Sequence, residues 1–440
     1  MSQDPRAILN DNPMSWLQIL TVAITIGLNA LDGFDIQSIS FASPGIAADW
    51  GVQRGALGIV LSMELLGMGI GAFTLGGLAD KIGRRHTILI CLIFMVVGMA
   101  MASVSSSIME LSIWRVITGL GIGGMLAATN ATVAEFANKK SRTLCISLMA
   151  IGYPIGAIVG GEISARLLVN NSWNIVFEFG AIITACFIPL VWFFVPESPA
   201  FLTDKQPHGA LEKINKALER MGHSVVQALP ALTAEEKNHA IGDIFKPALI
   251  RTTILITIAY FMHIATFYFI LKWAPSIVVD MGFDPSSAAR VLVSANLGGA
   301  IGGGILGLIA IRYSLRWLTI GSMLLSFPLI IVFGSGYSEL GTLSMAAAIA
   351  GFFTNAGVVG LYALVATSFP THVRATATGF AIGVGRGGAF LSPIIAGYMF
   401  QAGLGLQTVA VFMACGSLIA AISLMLLSRK KESITVAAEA

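Results

Sequence analysis

The sequence predicts an all-α integral membrane protein with twelve transmembrane helices arranged in two six-helix bundles. Three observations support this fold class. Of the 440 residues, 56% are hydrophobic and only 11% are charged, which is far from the composition of a soluble globular protein. Apolar stretches long enough to cross a hydrocarbon core of about 30 Å recur along the whole chain. One long polar segment, residues 196–251, divides the chain into halves of similar length.

The twelve predicted transmembrane helices follow one another closely, except across the central polar segment. They cover residues 17–41, 57–79, 87–104, 109–136, 143–168, 174–195, 252–275, 287–310, 317–334, 340–368, 374–400 and 406–428. We therefore expect an N-terminal six-helix bundle (1–195), a linker with short helices (196–250) and a C-terminal six-helix bundle (251–440). Within the linker, residues 208–221 have apolar residues at helical spacing. Thr233 and Glu236 form a capping-box pattern for a second helix.

Lysine and arginine residues are concentrated in the loops on one side of the predicted membrane domain. That side holds Arg6, Lys81, Arg84, Arg85, Lys139, Lys140, Arg142, seven residues from Lys205 to Arg251, Arg312, Arg316, Arg374 and Arg429 to Lys431. The opposite side holds Arg54, Arg166, Lys272 and Arg290. By the positive-inside rule, both termini and the linker are cytoplasmic. The first apolar span is too long for the core of a signal peptide, so we expect an uncleaved helix and a multi-pass protein of the cell inner membrane.

A glycine pair runs into a dense charge cluster at the end of the second span. The string reads Gly76, Gly77, Leu78, Ala79, Asp80, Lys81, Ile82, Gly83, Arg84, Arg85. It resembles the loop signature of the major facilitator superfamily, and it lies between the second and third helices, as in that family. Glu135, at the end of the fourth span, is the expected partner of Arg84.

Such a charge cluster is expected to act as a latch that holds one access state of a carrier and breaks in the other. The alternative is that its basic residues only set the topology. The residues predicted to form the latch are Gly77, Asp80, Gly83, Arg84, Arg85 and Glu135.

Two acidic residues, Asp32 and Asp35, interrupt the first span three positions apart and therefore share one broad helix face. Counting about 1.5 Å per residue places them in the outer half of the membrane, at the depth of Arg115 in the fourth span. We expect Arg115 to face this pair and to neutralise one carboxylate, which leaves the other free to take a proton. That arrangement suits a proton-coupled carrier. The alternative is a structural salt bridge that fixes helix packing.

Two further charges occur in the apolar spans. Glu64 is expected toward the outer end of the second span. Lys272 is near the outer end of the seventh span, where a lysine is expected to extend its ammonium group to the membrane surface.

Arg386 lies near the membrane midplane, in a glycine-rich part of the eleventh span. The spans of the second half have no acidic residue at that depth. A guanidinium group there is best explained by an anion that binds and leaves, and its fork suits a carboxylate. The alternative is a pair with Asp32 or Asp35 of the other half.

Other polar and aromatic groups at similar depth complete the predicted substrate site. These residues are Tyr260, His263, Phe267, Asn296, Asn355 and Tyr362. The aromatic rings are expected to contact the substrate. For His263 the alternative is hydrogen-bonded packing, and for the asparagines it is helix association.

Further strings narrow the family resemblance. They are Asp-Gly-Phe-Asp at 32–35, Arg115 through Gly124, Pro-Glu-Ser-Pro at 196–199, and Phe369 through Thr376 leading into Gly385-Arg386-Gly387. Together they resemble the aromatic acid:proton symporters, the benzoate and 4-hydroxybenzoate type of transporter. The chain departs from that pattern at Ala200, where arginine is usual, and at Ala377 and Thr378, where Thr-Gly is usual.

The resemblance implies proton-coupled import of an aromatic or related organic carboxylate by alternating access between the halves. We expect a monomer in the lipid bilayer whose partners are a small organic acid and protons. A sugar porter or a drug/proton antiporter would keep the same fold. Arg386 argues against a cationic drug, and the scarcity of Gln and Asn at mid-depth argues against a sugar.

Several other classes of function are not indicated. The chain has no HExxH or Gly-x-Ser-x-Gly motif, so we do not expect an enzyme. The four cysteines lie inside predicted spans without paired spacing, which argues against disulfides and against a metal site. We expect no cofactor and no nucleic-acid partner.

Overall fold

The computed structural model describes residues 4–230, 241–247 and 249–427. Within these residues, twelve helices are long and apolar enough to cross a membrane. The protein is therefore a multi-pass membrane protein of two six-helix bundles, and the predicted fold class is confirmed. The helix expected at Thr233 to Glu236 and the basic cluster from Arg429 to Lys431 lie outside the described residues.

The helices alternate in direction across the membrane in the order in which they occur along the chain. The first half contains α1 (Pro5–Asp11), α2 (Trp16–Trp50), α3 (Arg54–Thr74), α4 (Ala79–Ile82), α5 (Arg84–Ser103), α6 (Ile108–Phe136), α7 (Arg142–Leu167) and α8 (Asn174–Phe194). The linker contains α9 (Pro199–Lys205), α10 (Ala210–Arg220) and a 3-10 helix, Ile241–Phe245. The second half contains α11 (Ile250–Asp280), α12 (Pro285–Ile309), α13 (Leu315–Gly334), α14 (Leu340–Ser368), α15 (Thr371–Gln401) and α16 (Leu406–Met425).

We call the membrane face at which α8 ends and α11 begins the linker face, and the other face the opposite face. At the linker face, α1, α9 and α10 cover the first half. They share a small apolar core that includes Ile8, Phe201, Ile214 and Leu218 together with Phe136 from the end of α6. The predicted amphipathic helix at 208–221 is thus confirmed as α10.

Polar contacts fix the linker to both halves. The imidazole Nε2 of His223 lies 2.9 Å from the side-chain oxygen of Gln18 at the start of α2. Burial lowers the pKa of His223, which favours its neutral form at this contact. On the other side, the Thr253 hydroxyl of α11 donates to the Ile244 carbonyl oxygen of the 3-10 helix at 2.8 Å.

Helix α2 extends well beyond the predicted span, which ended at residue 41. Pro44 lies inside the helix and cannot donate to the carbonyl oxygen of Ser40. The Ser43 hydroxyl donates to that oxygen instead, at 2.9 Å, so the helix continues without leaving a carbonyl unsatisfied in the membrane. It ends at Trp50, and the next residue, Gly51, adopts φ 59°, a conformation that favours glycine.

Glycine residues bring several helix pairs into backbone contact. A Cβ atom at Gly119 of α6 would overlap the backbone carbonyl oxygen of Glu64 in α3. The same holds for Gly298 of α12 against Ala348 of α14. Small residues that allow such close approach are typical of membrane helix packing.

The two halves are joined at the opposite face by polar contacts between their membrane helices. Arg54 at the start of α3 pairs with Asp280 at the end of α11. One turn deeper on α11, the Ser276 hydroxyl lies 2.9 Å from that of Ser43 on α2. Glu162 of α7 lies 3.8 Å from the Arg290 guanidinium of α12. This end of the interface between the halves is therefore closed.

Candidate functional site

The carboxylates of Asp32 and Asp35 are buried within the first half. The residues are 2% and 0% exposed, and none of their four side-chain oxygens has a hydrogen-bond partner among the described residues. They lie close enough to interact electrostatically with each other and with Glu64. Gly33, between them, allows α2 to contact the backbone of Tyr153 in α7, which presses this turn of the helix against its neighbour.

Arg115 lies at the predicted depth, but its direct partner differs from the prediction. Its guanidinium forms an ion pair with Glu64 and donates a hydrogen bond to the backbone carbonyl oxygen of Asp35, at 2.9 Å. It also lies 5.3 Å from the ring centroid of Phe177. Arg115 therefore faces the aspartate pair, within electrostatic range of Asp35, but its ion-pair partner is Glu64, which the sequence analysis did not name as a partner. Neutralisation of an aspartate carboxylate by Arg115 stays a prediction.

Lys272 is placed differently from the prediction, and Glu64 is its ion-pair partner. Both side chains are 0% exposed, and the Lys272 ammonium does not reach the membrane surface. It lies 3.7 Å from a carboxylate oxygen of Glu64 and donates to the backbone carbonyl oxygen of Ile36 on α2. The closed contact between the halves covers both groups, so an ion pair within the protein replaces contact with water.

Arg386 on α15 lies among tyrosine side chains. Its Nη1 nitrogen is buried and has no hydrogen-bond partner in the described part of the chain. Tyr260 and Tyr268 of α11 lie within electrostatic range. Gly385 contributes to this arrangement, since a Cβ atom there would overlap the ring of Tyr260. The ring of Tyr362 meets that of Tyr260 edge to face, at a centroid distance of 5.6 Å.

Tyrosines from both halves connect this region with the carboxylates. Tyr153 of α7 and Tyr268 of α11 lie within electrostatic range of each other. Tyr153 also lies within electrostatic range of Glu64 and Asp32. Phe267 packs against Tyr268, at a centroid distance of 5.6 Å. Tyr268 is thus within electrostatic range of both Arg386 and Glu64, which belong to different halves.

His263 is held on both sides within the second half. Its Nδ1 lies 2.9 Å from the Ser417 hydroxyl, and its Nε2 lies 2.8 Å from the Thr354 carbonyl oxygen. Gly357 leaves the space that the ring occupies. A role in substrate binding would require these bonds to break, so the geometry favours the packing alternative.

The two predicted asparagines make contacts between helices. Asn296 of α12 exchanges two hydrogen bonds with Gln37 of α2, at 2.8 and 2.6 Å, and thereby links the two halves. Asn355 of α14 donates to the Gly299 carbonyl oxygen of α12 at 2.7 Å. Gln37 follows the aspartate pair directly on α2, so Asn296 lies beside the candidate site.

The charge cluster at the linker face is assembled within the first half. Arg84 pairs with Glu135 at 2.9 Å, the partner expected from the sequence, and with Asp80 at 2.9 Å. Glu197, just after α8, accepts hydrogen bonds from the backbone N–H groups of Arg84 and Arg85 at 2.7 and 3.3 Å. An acidic side chain at the N-terminus of α5 complements the helix dipole.

The two glycines predicted to take part in the latch differ in their surroundings. Gly83 has φ 102°, and a Cβ atom there would overlap the Glu197 carboxylate. Gly77 has open surroundings, with its nearest possible Cβ contact at 3.6 Å from the Phe73 carbonyl oxygen. The glycine at 83 is therefore required by the geometry of the loop, while that at 77 is not.

The sequence analysis missed four residues that the structure brings to the site. They are Glu64, Lys272, Tyr153 and Tyr268. The first two carried a usable signal, because each is a charge inside an apolar span, where an ionisable group needs a partner. The tyrosines gave no such signal, since nothing in a single sequence shows which helix face meets the other half.

The sequence matches the profile of the Major Facilitator Superfamily over residues 25–310 and 256–440. The chain belongs to the Major Facilitator Superfamily. This is a family of membrane transporters, and the first resemblance noted in the sequence is thereby confirmed.

Among curated proteins, several superfamily members align with nearly the whole chain. The gallate transporter of Pseudomonas putida is 28% identical over 436 residues, which cover 96% of this chain and 94% of the relative. The 4-hydroxybenzoate transporter PcaK of Acinetobacter baylyi is 28% identical over 395 residues, which cover 88% of this chain and 86% of the relative. The narrower resemblance to aromatic acid transporters is confirmed by these alignments.

A solved superfamily structure shares the fold. It represents a partially occluded inward-open conformation of the xylose transporter XylE from E. coli, with a TM-score of 0.74. The two chains are 15% identical, and the match covers 96% of this chain and 100% of that one.

Proposed function

We propose that this transporter imports an aromatic or related organic carboxylate together with protons, by alternating access between its two halves. The observation that carries the proposal is Arg386, whose buried nitrogen lacks a partner among the described residues and whose neighbours are phenol rings. A guanidinium group can hold a carboxylate through two parallel hydrogen bonds. The rings of Tyr260, Tyr268 and Tyr362 would then contact the aromatic part of the substrate.

The aspartate pair is our candidate for the proton site. Asp32 and Asp35 are buried without hydrogen-bond partners in the described chain, and an ionised carboxylate in such a place is costly. Binding of a proton neutralises one carboxylate and removes that cost. The bound substrate anion, in turn, neutralises the positive charge of Arg386. The loaded carrier therefore carries less net charge through the membrane, which favours its reorientation.

We further propose that the linker face and both termini are cytoplasmic, because the basic loops lie on that side. The closed contacts at the opposite face, such as Arg54 with Asp280, then correspond to an inward-facing state. The pair of Arg84 with Glu135, one contact of the proposed latch, is formed here and lies within the first half. The functional unit in this proposal is a monomer, since the route runs between the halves of one chain.

Uptake into proteoliposomes tests the proposal. Purified protein should accumulate radiolabelled 4-hydroxybenzoate, benzoate or gallate when the lumen is made alkaline relative to the medium. Asp35→Asn should abolish accumulation, because the side chain no longer binds and releases a proton. Glu178→Gln, at an exposed acid of α8, is a matched control that should accumulate substrate normally. Uptake that is indifferent to collapse of the pH gradient would show that symport is wrong.

A further inference from the structure

Glu64 lies between two cations that belong to different halves of the protein. One carboxylate oxygen pairs with Arg115 of α6, in the same half. The other lies 3.7 Å from the Lys272 ammonium of α11, in the other half. Lys272 also donates to the Ile36 carbonyl oxygen of α2. Both contacts shown for this ammonium are thus to the half to which it does not belong.

The position of Lys272 on α11 ties it to the closed interface. Ser276 and Asp280 follow it at intervals of four residues, so all three lie on one stripe of the helix. Ser276 meets Ser43 at 2.9 Å, and Asp280 pairs with Arg54. Opening of the opposite face separates this stripe from the first half, and the Lys272 ammonium must then withdraw from Glu64.

The charges around Glu64 do not balance. Three carboxylates, those of Asp32, Asp35 and Glu64, lie within electrostatic range of one another. The cluster also contains two cations, since Arg115 interacts with Asp35 and Glu64, and Lys272 with Glu64. Other titratable groups that face the cluster are the phenols Tyr153 and Tyr268 and the thiol of Cys91, which are neutral around pH 7 in their ordinary state. Three ionised carboxylates and two cations leave one negative charge. The cluster is therefore neutral when one of the three carboxylates is protonated.

Removal of one cation changes the number of protons that the cluster needs for neutrality. If Lys272 withdraws, three carboxylates face Arg115 alone, and two protons are needed for neutrality. Net charge in the membrane interior is costly, so the number of protons held should follow the number of cations docked.

We propose that Lys272 is a mobile counter-ion that exchanges with one proton during transport. When the opposite face closes, its ammonium docks on Glu64, and one carboxylic acid O–H of the cluster releases its proton to water at the linker face. When the opposite face opens, the ammonium leaves with α11, and a carboxylate takes up a proton from that side. The lysine stays protonated throughout. This inference rests on the proposed proton-coupled import and assigns the step at which the proton is released.

Removal of the lysine charge tests the step in proteoliposomes with an imposed difference of one pH unit and no membrane potential. One coupled proton supports up to about tenfold accumulation of substrate under these conditions, because each factor of ten corresponds to about 1.4 kcal/mol. Lys272→Met should reach a ratio close to one, yet still exchange labelled for unlabelled 4-hydroxybenzoate. Lys272→Arg, which keeps the charge, should accumulate substrate. Lys140→Met, at an exposed lysine, is the matched control for loss of a positive charge.

A double variant separates this role from a structural one. Lys272→Met leaves Glu64 without its second cation and could impair folding, whereas Lys272→Met combined with Glu64→Gln removes both charges. The double variant should exchange substrate but not accumulate it. If Lys272→Met, alone or combined with Glu64→Gln, accumulated substrate at the level of the unaltered protein, the proposal that Lys272 is a mobile counter-ion would be overturned. Failure of the unaltered protein itself to accumulate substrate would instead refute the proposed symport.

Discussion

At the scale of single residues, substrate selection in our proposal depends on the guanidinium group of Arg386. One of its nitrogens is buried without a hydrogen-bond partner in the described chain, and Tyr260 and Tyr268 of α11 lie within electrostatic range of it. The planar fork of a guanidinium matches the two oxygens of a carboxylate, so geometry as well as charge holds the anion. The ammonium group of a lysine, a point charge on a flexible side chain, would lack that match.

Arg386→Lys tests this property, because lysine keeps the charge and loses the fork. We expect the affinity for 4-hydroxybenzoate to fall by about tenfold or more, since a hydrogen bond to a charged group contributes roughly 1.5–3 kcal/mol. Isothermal titration calorimetry of the purified variant measures the change. Arg312→Lys, at an exposed arginine of the same half, should bind like the unaltered protein. Equal affinities for Arg386→Lys and Arg312→Lys would exclude the two-point contact.

Helical rise along the sequence gives the depth of a charge, but not its partner. Counting residues correctly placed Arg115 at the level of Asp32 and Asp35. The missing information was the direction in which each helix face points, and this is set by packing. Glu64 was expected near a helix end, yet the close contact of Gly119 with its backbone brings α3 against α6 and completes the pair with Arg115.

At the scale of helices, close glycine contacts determine how the carrier is packed. On α12, Gly298 faces the Ala348 carbonyl oxygen of α14, and Gly302 faces that of Phe352. The four-residue interval places both contacts on one stripe, the spacing of small residues in membrane helix pairs. Gly304, on the same helix, has nothing within 4 Å of its Cβ position. The glycine-rich sequence of α12 therefore contains both required and dispensable glycines.

Gly298→Ala and Gly304→Ala form a matched pair for this argument. The first adds a methyl group where only a hydrogen atom fits, so α12 and α14 must move apart. We expect a destabilisation of about 1–3 kcal/mol, the usual cost of overpacking, seen as a lower melting temperature in detergent. The second adds the same group in open space and should leave the melting temperature unchanged or slightly raised. Equal melting temperatures for both variants would contradict the close contact.

The existence and order of the membrane helices could be predicted from the sequence, because each is a long apolar run. Their ends were predicted less well. The first span was predicted to end at residue 41, whereas α2 continues through Pro44 to Trp50. The structure continues it because the Ser43 hydroxyl supplies the hydrogen bond that the proline cannot make. This substitute hydrogen bond depends on the rotamer of Ser43, which cannot be read from the sequence.

At the scale of the whole molecule, the two halves close against each other at the opposite face through contacts between α2, α3 and α11. The two-half layout could be predicted from composition and the polar linker. The access state could not, because the same sequence must be stable in both states and no residue pattern favours one of them. Transport requires the contacts at the opposite face to open in every cycle.

A cross-link between the halves should therefore stop transport. The hydroxyls of Ser43 and Ser276 lie 2.9 Å apart, close enough for cysteines at these positions to form a disulfide with small adjustments. Oxidation of Ser43→Cys combined with Ser276→Cys should abolish substrate exchange, and a reducing agent should restore it. Each single variant, oxidised in the same way, controls for the native cysteines. Full exchange by the cross-linked protein would show that this interface does not open.

Pro44 has a mechanical consequence for the outer end of α2. Because proline provides no backbone N–H group, the helix is joined across this turn by a side-chain bond from Ser43 in place of a backbone bond. Beyond it, Asp49 is anchored to the first half by the Trp173 indole, at 2.8 Å. The bending stiffness of α2 is thus lowest at the level where Ser43 meets Ser276 of the other half. When the halves separate, α2 should therefore bend near Pro44 first. The turns that carry Asp32 and Asp35 would keep their helical geometry.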